Sequence, residues 1–398
     1  MLTSHRFRAV LKAMIAIAVL AALGTDAIRL AIAGKPSGGG TTPAYTLTNL
    51  GGFTAYGTFL DTQARGITNP DAFGLVHVAG YSRVAGNGSG MPWDAYVWSV
   101  SQTGAYLATS DLGTLSPPND PYALSSYANG INDSGVVVGR IDDGSAFVGF
   151  PGTGAGTGLY RLPFSAFGGA YPNRHVAAAV NNPGADGRFS IVGDVVDANH
   201  IDHGLLWQVS GPDSNGYHTI SAPIDLGAFV PTAINDSGVM VGHQAGVPAM
   251  ATLANGVTLL RVFAGDTAGS ALGINNLGDV VGWSNPSSGA TQAIVWSRAS
   301  AWYPVVLKKL RNNLGCKAYD INEQGQIVGF SYTNSSLHAG VLWENGSVYD
   351  LNALAGVANG NPSVTWATAI NDIGQISGIA NLTAGVIDDR AVVLTRKP

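Results

Sequence analysis

One short motif recurs seven times along this chain. A chain written that way folds as an array of copies of one unit, not around a single unrepeated core. The copies read GITNPDAFGLVHVAGYS (66–82), GINDSGVVVGR (130–140), AVNNPGADGRFSIVGD (179–194), AINDSGVMVGH (233–243), GINNLGDVVGW (273–283), DINEQGQIVGF (320–330) and AINDIGQISGI (369–379). Their anchors Ile67, Ile131, Val180, Ile234, Ile274, Ile321 and Ile370 are 64, 49, 54, 40, 47 and 49 residues apart, a period near 50. The first and third copies carry insertions in the turn, where a loop tolerates them.

Each copy reads as a hairpin. The aliphatic anchor points into a core. Asn-Asp-Ser-Gly or Asn-Glu-Gln-Gly makes the turn, with Asn and Asp bonding nearby backbone and Gly taking a positive φ. A β-branched, alternating run follows as a half-buried strand. It ends in a glycine in every copy: Gly80, Gly139, Gly193, Gly242, Gly282, Gly329 and Gly378. A strand glycine marks a bulge or a close backbone approach, read here as the place where neighbouring units crowd. A third strand follows, such as DAYVW (94–98), HGLLW (203–207) or QAIVW (292–296). ENG (344–346) and ANG (254–256) turn the chain into a fourth strand ending near Asp111-Leu112-Gly113, Asp225-Leu226-Gly227 or Asp350-Leu351-Asn352. Four short strands per copy, with almost no helical periodicity, predict an all-β fold.

Register at the two ends predicts how the array closes. The seventh copy stops at Arg396-Lys397-Pro398 after three strands, while Tyr45–Gly51 matches the missing fourth. An N-terminal strand completing the last unit seals a ring and protects its sheet edges, where an open solenoid would need caps. The expectation is a seven-bladed β-propeller of four-stranded blades, one domain over 44–398, with repeats starting near 60, 122, 174, 230, 269, 315 and 364.

The set GIN-x-x-G-x-V-V-G, then x-A-F-x-W, then D-L-G resembles the HAF-repeat family of extracellular bacterial proteins. The name triplet survives only approximately, as His203-Gly204-Leu205, Asp94-Ala95-Tyr96 and Ser145-Ala146-Phe147. The resemblance covers all seven copies. It implies export and a propeller-like repeat fold, and no established chemistry.

The N-terminal segment supports that address. His5, Arg6, Arg8 and Lys12 precede the uncharged run Ala13 to Leu23, about 11 residues. That is too short for the ~20 residues of a spanning helix and matches the apolar core of a secretory signal. Small-x-small sites at Ala22-Leu23-Gly24 and Ala31-Ile32-Ala33 precede a Gly-rich linker; the second is preferred, giving a signal peptide over 1–33 and a linker over 34–43. Removing it takes away Arg6, Arg8, Lys12, Arg29 and Asp26 and moves the net charge from −5 to −8. No sorting segment follows the last strand. The expected location is secreted or periplasmic, as a monomer with no membrane span after cleavage.

Composition narrows the classes further. Charged residues are 11% of the chain against a typical ~25%, and 46% are hydrophobic, which excludes disorder. A negative balance argues against nucleic acid as a partner. Cys316 is the only cysteine, so a disulfide scaffold is excluded; its apolar strand context reads as core.

Candidate chemistry is sparse. Asp197, His200, Asp202 and His203 crowd one loop of blade three with residue types that suit Zn, Ni or Cu, although the spacing fits no strong motif and a polar loop is the plainer reading. Asp142-Asp143 and Asp388-Asp389 supply too few oxygens for Ca²⁺ and read as turns. Trp98, Trp207, Trp296 and Trp343 share one repeat position and read as packing between blades; Trp93 stands apart as a sugar-stacking candidate. Lys308, Lys309 and Arg311 form a solvated basic loop. No cofactor motif, GxSxG elbow, P-loop, CxxC or HExxH is present. The leading expectation is a non-enzymatic binding or structural propeller whose loops contact an extracellular polymer or envelope protein. The rival is a polysaccharide hydrolase or lyase with acids converging on the channel from several blades.

Overall fold

A computed structural model of the chain describes residues 42–51, 61–83, 93–113, 115, 124–152, 157–164, 175–197, 199–287, 289–333, 338–357, 363–382 and 389–398. The expected signal segment, 1–33, and most of the expected linker, 34–43, lie outside the described residues. The strands form seven separate four-stranded antiparallel sheets, each one blade. The first strands of blades one to seven are Thr62–Ile67, Ser126–Ile131, His175–Val180, Phe229–Ile234, Asp266–Ile274, Gly315–Ile321 and Ser363–Ile370. A short helix, Leu351–Leu354, leaves the fourth strand of blade six, its first turn capped by the Asp350 carboxylate.

The expected closure is present. Tyr45–Asn49 pairs antiparallel with the last strand, Asp389–Arg396, from Tyr45 opposite Arg396 to Asn49 opposite Val392. The fully buried Tyr45 ring joins the core of blade seven. Alternating strand directions put the turns after the first and third strands on one face, here the turn face. The other connections share the opposite, loop face.

The turn motif fastens the blades to one another. Asn132 Oδ1 accepts from the backbone of Ser134 and Val136, closing its own turn. Its Nδ2 reaches the next blade and donates to the carbonyl of Asn181 at 2.9 Å. The same bond recurs from Asn181 to Asn235, Asn235 to Asn275, Asn275 to Asn322, Asn322 to Asn371, and Asn371 to Thr68. The following residue makes a second ring. The N–H of Asn69, Asp133, Asn182, Asp236, Asn276, Glu323 and Asp372 each donates to the side-chain oxygen of its counterpart one blade on, returning to Asn69. The Asp of the turn therefore bonds across the blade interface, and not to nearby backbone as expected.

The strand glycine also has a different partner from the one expected. A Cβ built on Gly329 would overlap the Lys317 carbonyl oxygen, in the first strand of its own blade, and Gly80 stands in the same relation to Gln63. Crowding between blades falls instead on the small residue of the third strand and on first-strand glycines such as Gly273, where a Cβ would lie 2.7 Å from the Tyr319 carbonyl of the next blade. A Cβ on Gly204 would overlap the Phe229 carbonyl of the next blade, and one on Gly340 would lie 2.9 Å from Val364. The repeated tryptophans do pack between blades, as expected. Trp207, Trp296 and Trp343 are buried and donate Nε1 to the carbonyls of Pro163, Arg261 and Lys308, each in the segment leaving the preceding blade. Burying such a side chain contributes roughly 1.5–3 kcal/mol from area. Cys316 is buried, and burial raises its thiol pKa.

Candidate functional site at the channel mouth

Every first strand carries a β-bulge at the same place. The register slips between Ala64 and Gly66, Ala128 and Gly130, Ala177 and Ala179, Pro231 and Ala233, Ala271 and Gly273, Ala318 and Asp320, and Ala367 and Ala369. A bulge inserts one extra residue and re-aims its side chain. The extra residues are Arg65, Asn129, Ala178, Thr232, Leu272, Tyr319 and Thr368. All seven are flanked on both sides by side chains no larger than alanine, proline or aspartate, and all seven line a central cavity of about 430 Å³. The glycine of the second strand, paired opposite the bulge, makes room for it.

This ring is uneven. Blades three to five contribute Ala178, Thr232 and Leu272. Blades six, seven, one and two contribute Tyr319, Thr368, Arg65 and Asn129, joined in the cavity wall by Asp320 and Trp366. Tyr319 and Trp366 are stacked, their planes nearly parallel at 12° with centroids 6.0 Å apart. Burial raises the Tyr319 phenol above its usual range, and the charge of nearby Arg65 opposes the shift. The Asp320 carboxylate accepts from the backbone N–H of Ile321 and, across the interface, of Ile370, both at 2.9 Å. Loss of water around it still dominates and pushes its pKa up to about 6.

Arg65 is held by neutral acceptors. Its Nη2 donates to Gln63 Oε1 at 2.8 Å and to the Tyr81 hydroxyl at 2.6 Å, and Tyr81 donates back to Gln63 at 2.7 Å. Gln63 Nε2 in turn donates to Asp389 of blade seven. Tyr81 continues into a cluster of aromatic rings, edge-on to Trp93 at 5.3 Å and to Tyr127 at 5.1 Å. Arg83 lies over Trp93 and Arg140 over Tyr127, at 4.9 and 4.0 Å. Two residues before Tyr319 on the first strand of blade six, the Lys317 ammonium lies 4.1 Å from the centroid of Trp283 on the preceding blade, and burial lowers its pKa. The loop face thus carries aromatic surface with cations laid on it, around a cavity with one ionisable carboxyl.

Of the residues singled out in the sequence, Trp93 belongs to this cluster, half-buried at the start of its strand. Asp197, His200, Asp202 and His203 do not reach the channel wall. Asp197 Oδ1 accepts from the backbone of Asn199 and Ile201, which closes the loop and lowers its pKa, while Oδ2 lies 3.6 Å from His203. His203 Nδ1 lies 3.4 Å from Asp225. This is an acid–imidazole–acid line with Asp202 and His200 outside it. Among the described residues no three His, Cys, Asp or Glu side chains converge as metal ligands do. Asp143 pairs with Arg161 and Asp142 with Arg140; Asp388 lies outside the described residues. Lys309 donates to the carbonyl of Leu314, and Lys308 lines a separate cavity of about 1010 Å³ on the turn face. Of the three carboxylates lining it, Asp279, Glu344 and Asp372, Glu344 is engaged by Arg396 at 2.7 Å and Gln326 at 2.6 Å.

The residues that form the mouth were missed in the sequence. One signal pointed to them. Two positions before the anchor, the copies read Arg, Asn, Ala, Thr, Leu, Tyr and Thr, between flanks that hardly change.

No family model matches the chain, and no curated protein sequence matches it. Solved propellers are similar in fold. The β-propeller domain of the Trilobed protease from Pyrococcus furiosus is 9% identical with a TM-score of 0.47, covering 85% of this chain and 97% of that one. An inactive virginiamycin B lyase from Staphylococcus aureus in complex with quinupristin is 12% identical with a TM-score of 0.46, covering 88% and 99%. The Trypanosoma rangeli sialidase in complex with the inhibitor DANA is 11% identical with a TM-score of 0.40, covering 85% of this chain and 55% of that one.

Proposed function

We propose that this protein is an exported, non-enzymatic binding propeller that holds an extracellular polymer or an envelope protein at the loop-face mouth of its channel. The observation that carries the reading is the bulge ring. A fixed frame repeated seven times aims one variable side chain per blade into a shared cavity, with aromatic and guanidinium groups gathered on one arc. Rigid elements presenting a few polar groups beside aromatic surface suit recognition. The basic-then-apolar leader and the resemblance to HAF repeats support export.

The hydrolase or lyase reading needs a second group to work with the first. In the cavity wall the carboxyl is Asp320, and its oxygens already hold two backbone N–H groups. The test is a glycan array run with the full chain beside hydrolysis and lyase assays on the same polymers. Binding without turnover supports the reading. Turnover that is lost in Asp320→Asn overturns it. Expression in a bacterial host should release a mature chain beginning at Gly34, read by mass spectrometry; an intact Met1 in the cytoplasm would remove the address.

A further inference from the structure

Cations on the loop face fall into two groups. Arg83 faces the Asp61 carboxylate at 3.8 Å, and Arg140 faces Asp142 at 3.5 Å. Arg65 and Lys317 differ. Each lies over an aromatic ring, Tyr81 at 5.4 Å and Trp283 at 4.1 Å, and no carboxylate comes within ion-pair reach of either among the described residues. Both stand on first strands, so the rigid frame holds them. Arg65 is further fixed by Gln63 and Tyr81, which occupy donors on one side of the guanidinium without neutralising it. Between the two run Tyr319 and Trp366, a stacked pair of rings in the cavity wall.

We propose that the mouth recognises a glycan bearing carboxylates, with Arg65 and Lys317 taking the acid groups and Trp366 with Tyr319 stacking a sugar ring. The inference rests on the binding reading above and names its ligand class. Aromatic faces complement the C–H face of a pyranose, and Arg65, with Nη2 engaged by Gln63 and Tyr81, keeps its Nη1 and Nε donors for a charge-assisted hydrogen bond to a carboxylate. A uronic-acid polymer carries its charges sparsely, which suits two separated cations. A nucleic acid, with one charge per ~1.7 Å of duplex, would meet the repulsion of an acidic surface.

The test uses the full chain with oligogalacturonate and oligomannuronate, each beside its carboxyl-reduced counterpart, by calorimetry at low and high salt. Wild type should bind at least one uronate, more weakly at high salt, and its reduced form at least tenfold less tightly. Arg65→Gln and Lys317→Gln should each weaken uronate binding about tenfold or more, the loss expected for one charge-assisted bond. Arg188→Gln removes the same charge from the turn-face hairpin of blade three and should leave binding unchanged. Failure of every uronate to bind, equal binding of uronate and reduced glycan, or wild-type affinity in the double variant R65Q/K317Q would overturn the ligand class. If neutral glycans bind and Trp366→Ala abolishes that binding, the class is wrong while the binding propeller stands. If no polymer or envelope protein binds the chain at all, the binding propeller falls too.

Discussion

The Asn371 side chain donates Nδ2 to the carbonyl of Thr68 at 3.0 Å, so the last blade grips the first at the innermost turns. Blade one has no turn asparagine to pass the bond on. Thr68 Oγ1 instead accepts from His77 N–H at 3.0 Å, and the step to blade two is made by Asn69 N–H on Asp133. Asn371→Asp keeps an oxygen for Gln375 N–H but removes the donor, leaving the Thr68 carbonyl short of a partner. Asn371→Ala removes both. The expected loss is about 1–3 kcal/mol for each buried group left without a partner. Chemical denaturation should therefore place both variants below wild type, the Asp variant also carrying the cost of a carboxylate buried against the Thr68 carbonyl; midpoints equal to wild type would show the inner ring to be dispensable.

The N-terminal strand closes the same interface from the outside. Deleting 42–51 removes the partner of Asp389–Arg396 and empties the place of the fully buried Tyr45. Unpaired backbone and an exposed core should lower stability by several kcal/mol and leave a bare sheet edge prone to self-association. Tyr45→Ala tests the core share alone, at about 3–5 kcal/mol by analogy with other aromatic truncations. Light scattering and thermal melting of the two variants separate the parts. An unchanged melting temperature for the deletion would mean that the ring does not depend on this strand.

Blade number and closure were legible because they depend on counting. The anchors from Ile67 to Ile370 fix seven units, and the surplus strand at Tyr45 fixes where the ends meet. The bulge was not legible. Whether Ala64 and Gly66 are successive ladder positions depends on pairing with Gly80, which strand periodicity does not report. Without the bulge, Arg65 and Tyr319 read as ordinary alternating strand residues, so the mouth stayed hidden. The histidine cluster erred the other way. Asp197 and His203 are near one another, but His200 takes a left-handed turn conformation at φ 62°, so chain proximity did not become a ligand set. The turn acids were legible as structural, while their partners across blades needed the ring itself.

Asp94 occupies the first position of the HAF-like triplet, where blade three has His203 facing Asp225. Here it has an acid for a neighbour. Desolvation, with the Asp111 charge added, pushes Asp94 up to about 7. An unfolded aspartate titrates near ~3.9. Between those values the folded state binds the extra proton, so stability falls as pH rises from about 4 to about 7 and stays lowered above that. Asp320, raised to about 6, acts in the same direction. Asp94→Asn removes one of these contributions. Its urea midpoint should exceed that of wild type at pH 8 and approach it at pH 4.5. Parallel midpoints across the range would mean that Asp94 is no more burdened folded than unfolded.

Gly329 and Gly325 separate the two uses of glycine in one blade. Gly325 ends the turn at φ 74° with open space where a Cβ would go. Gly325→Ala meets only the backbone penalty of that conformation, about 1 kcal/mol. Gly329 lies opposite Ala318 at the bulge, and a side chain there would be driven into the Lys317 carbonyl. Relief requires undoing the bulge, which would turn Tyr319 away from the cavity and shift Asp320 off the Ile370 N–H. Gly329→Val should therefore fold poorly or not at all, and Gly329→Ala, the milder change, should already cost more than Gly325→Ala. Soluble yield and denaturation midpoints of the three variants read this out. A Gly329→Ala variant as stable as Gly325→Ala would show that the blade can accommodate the bulge and a side chain together.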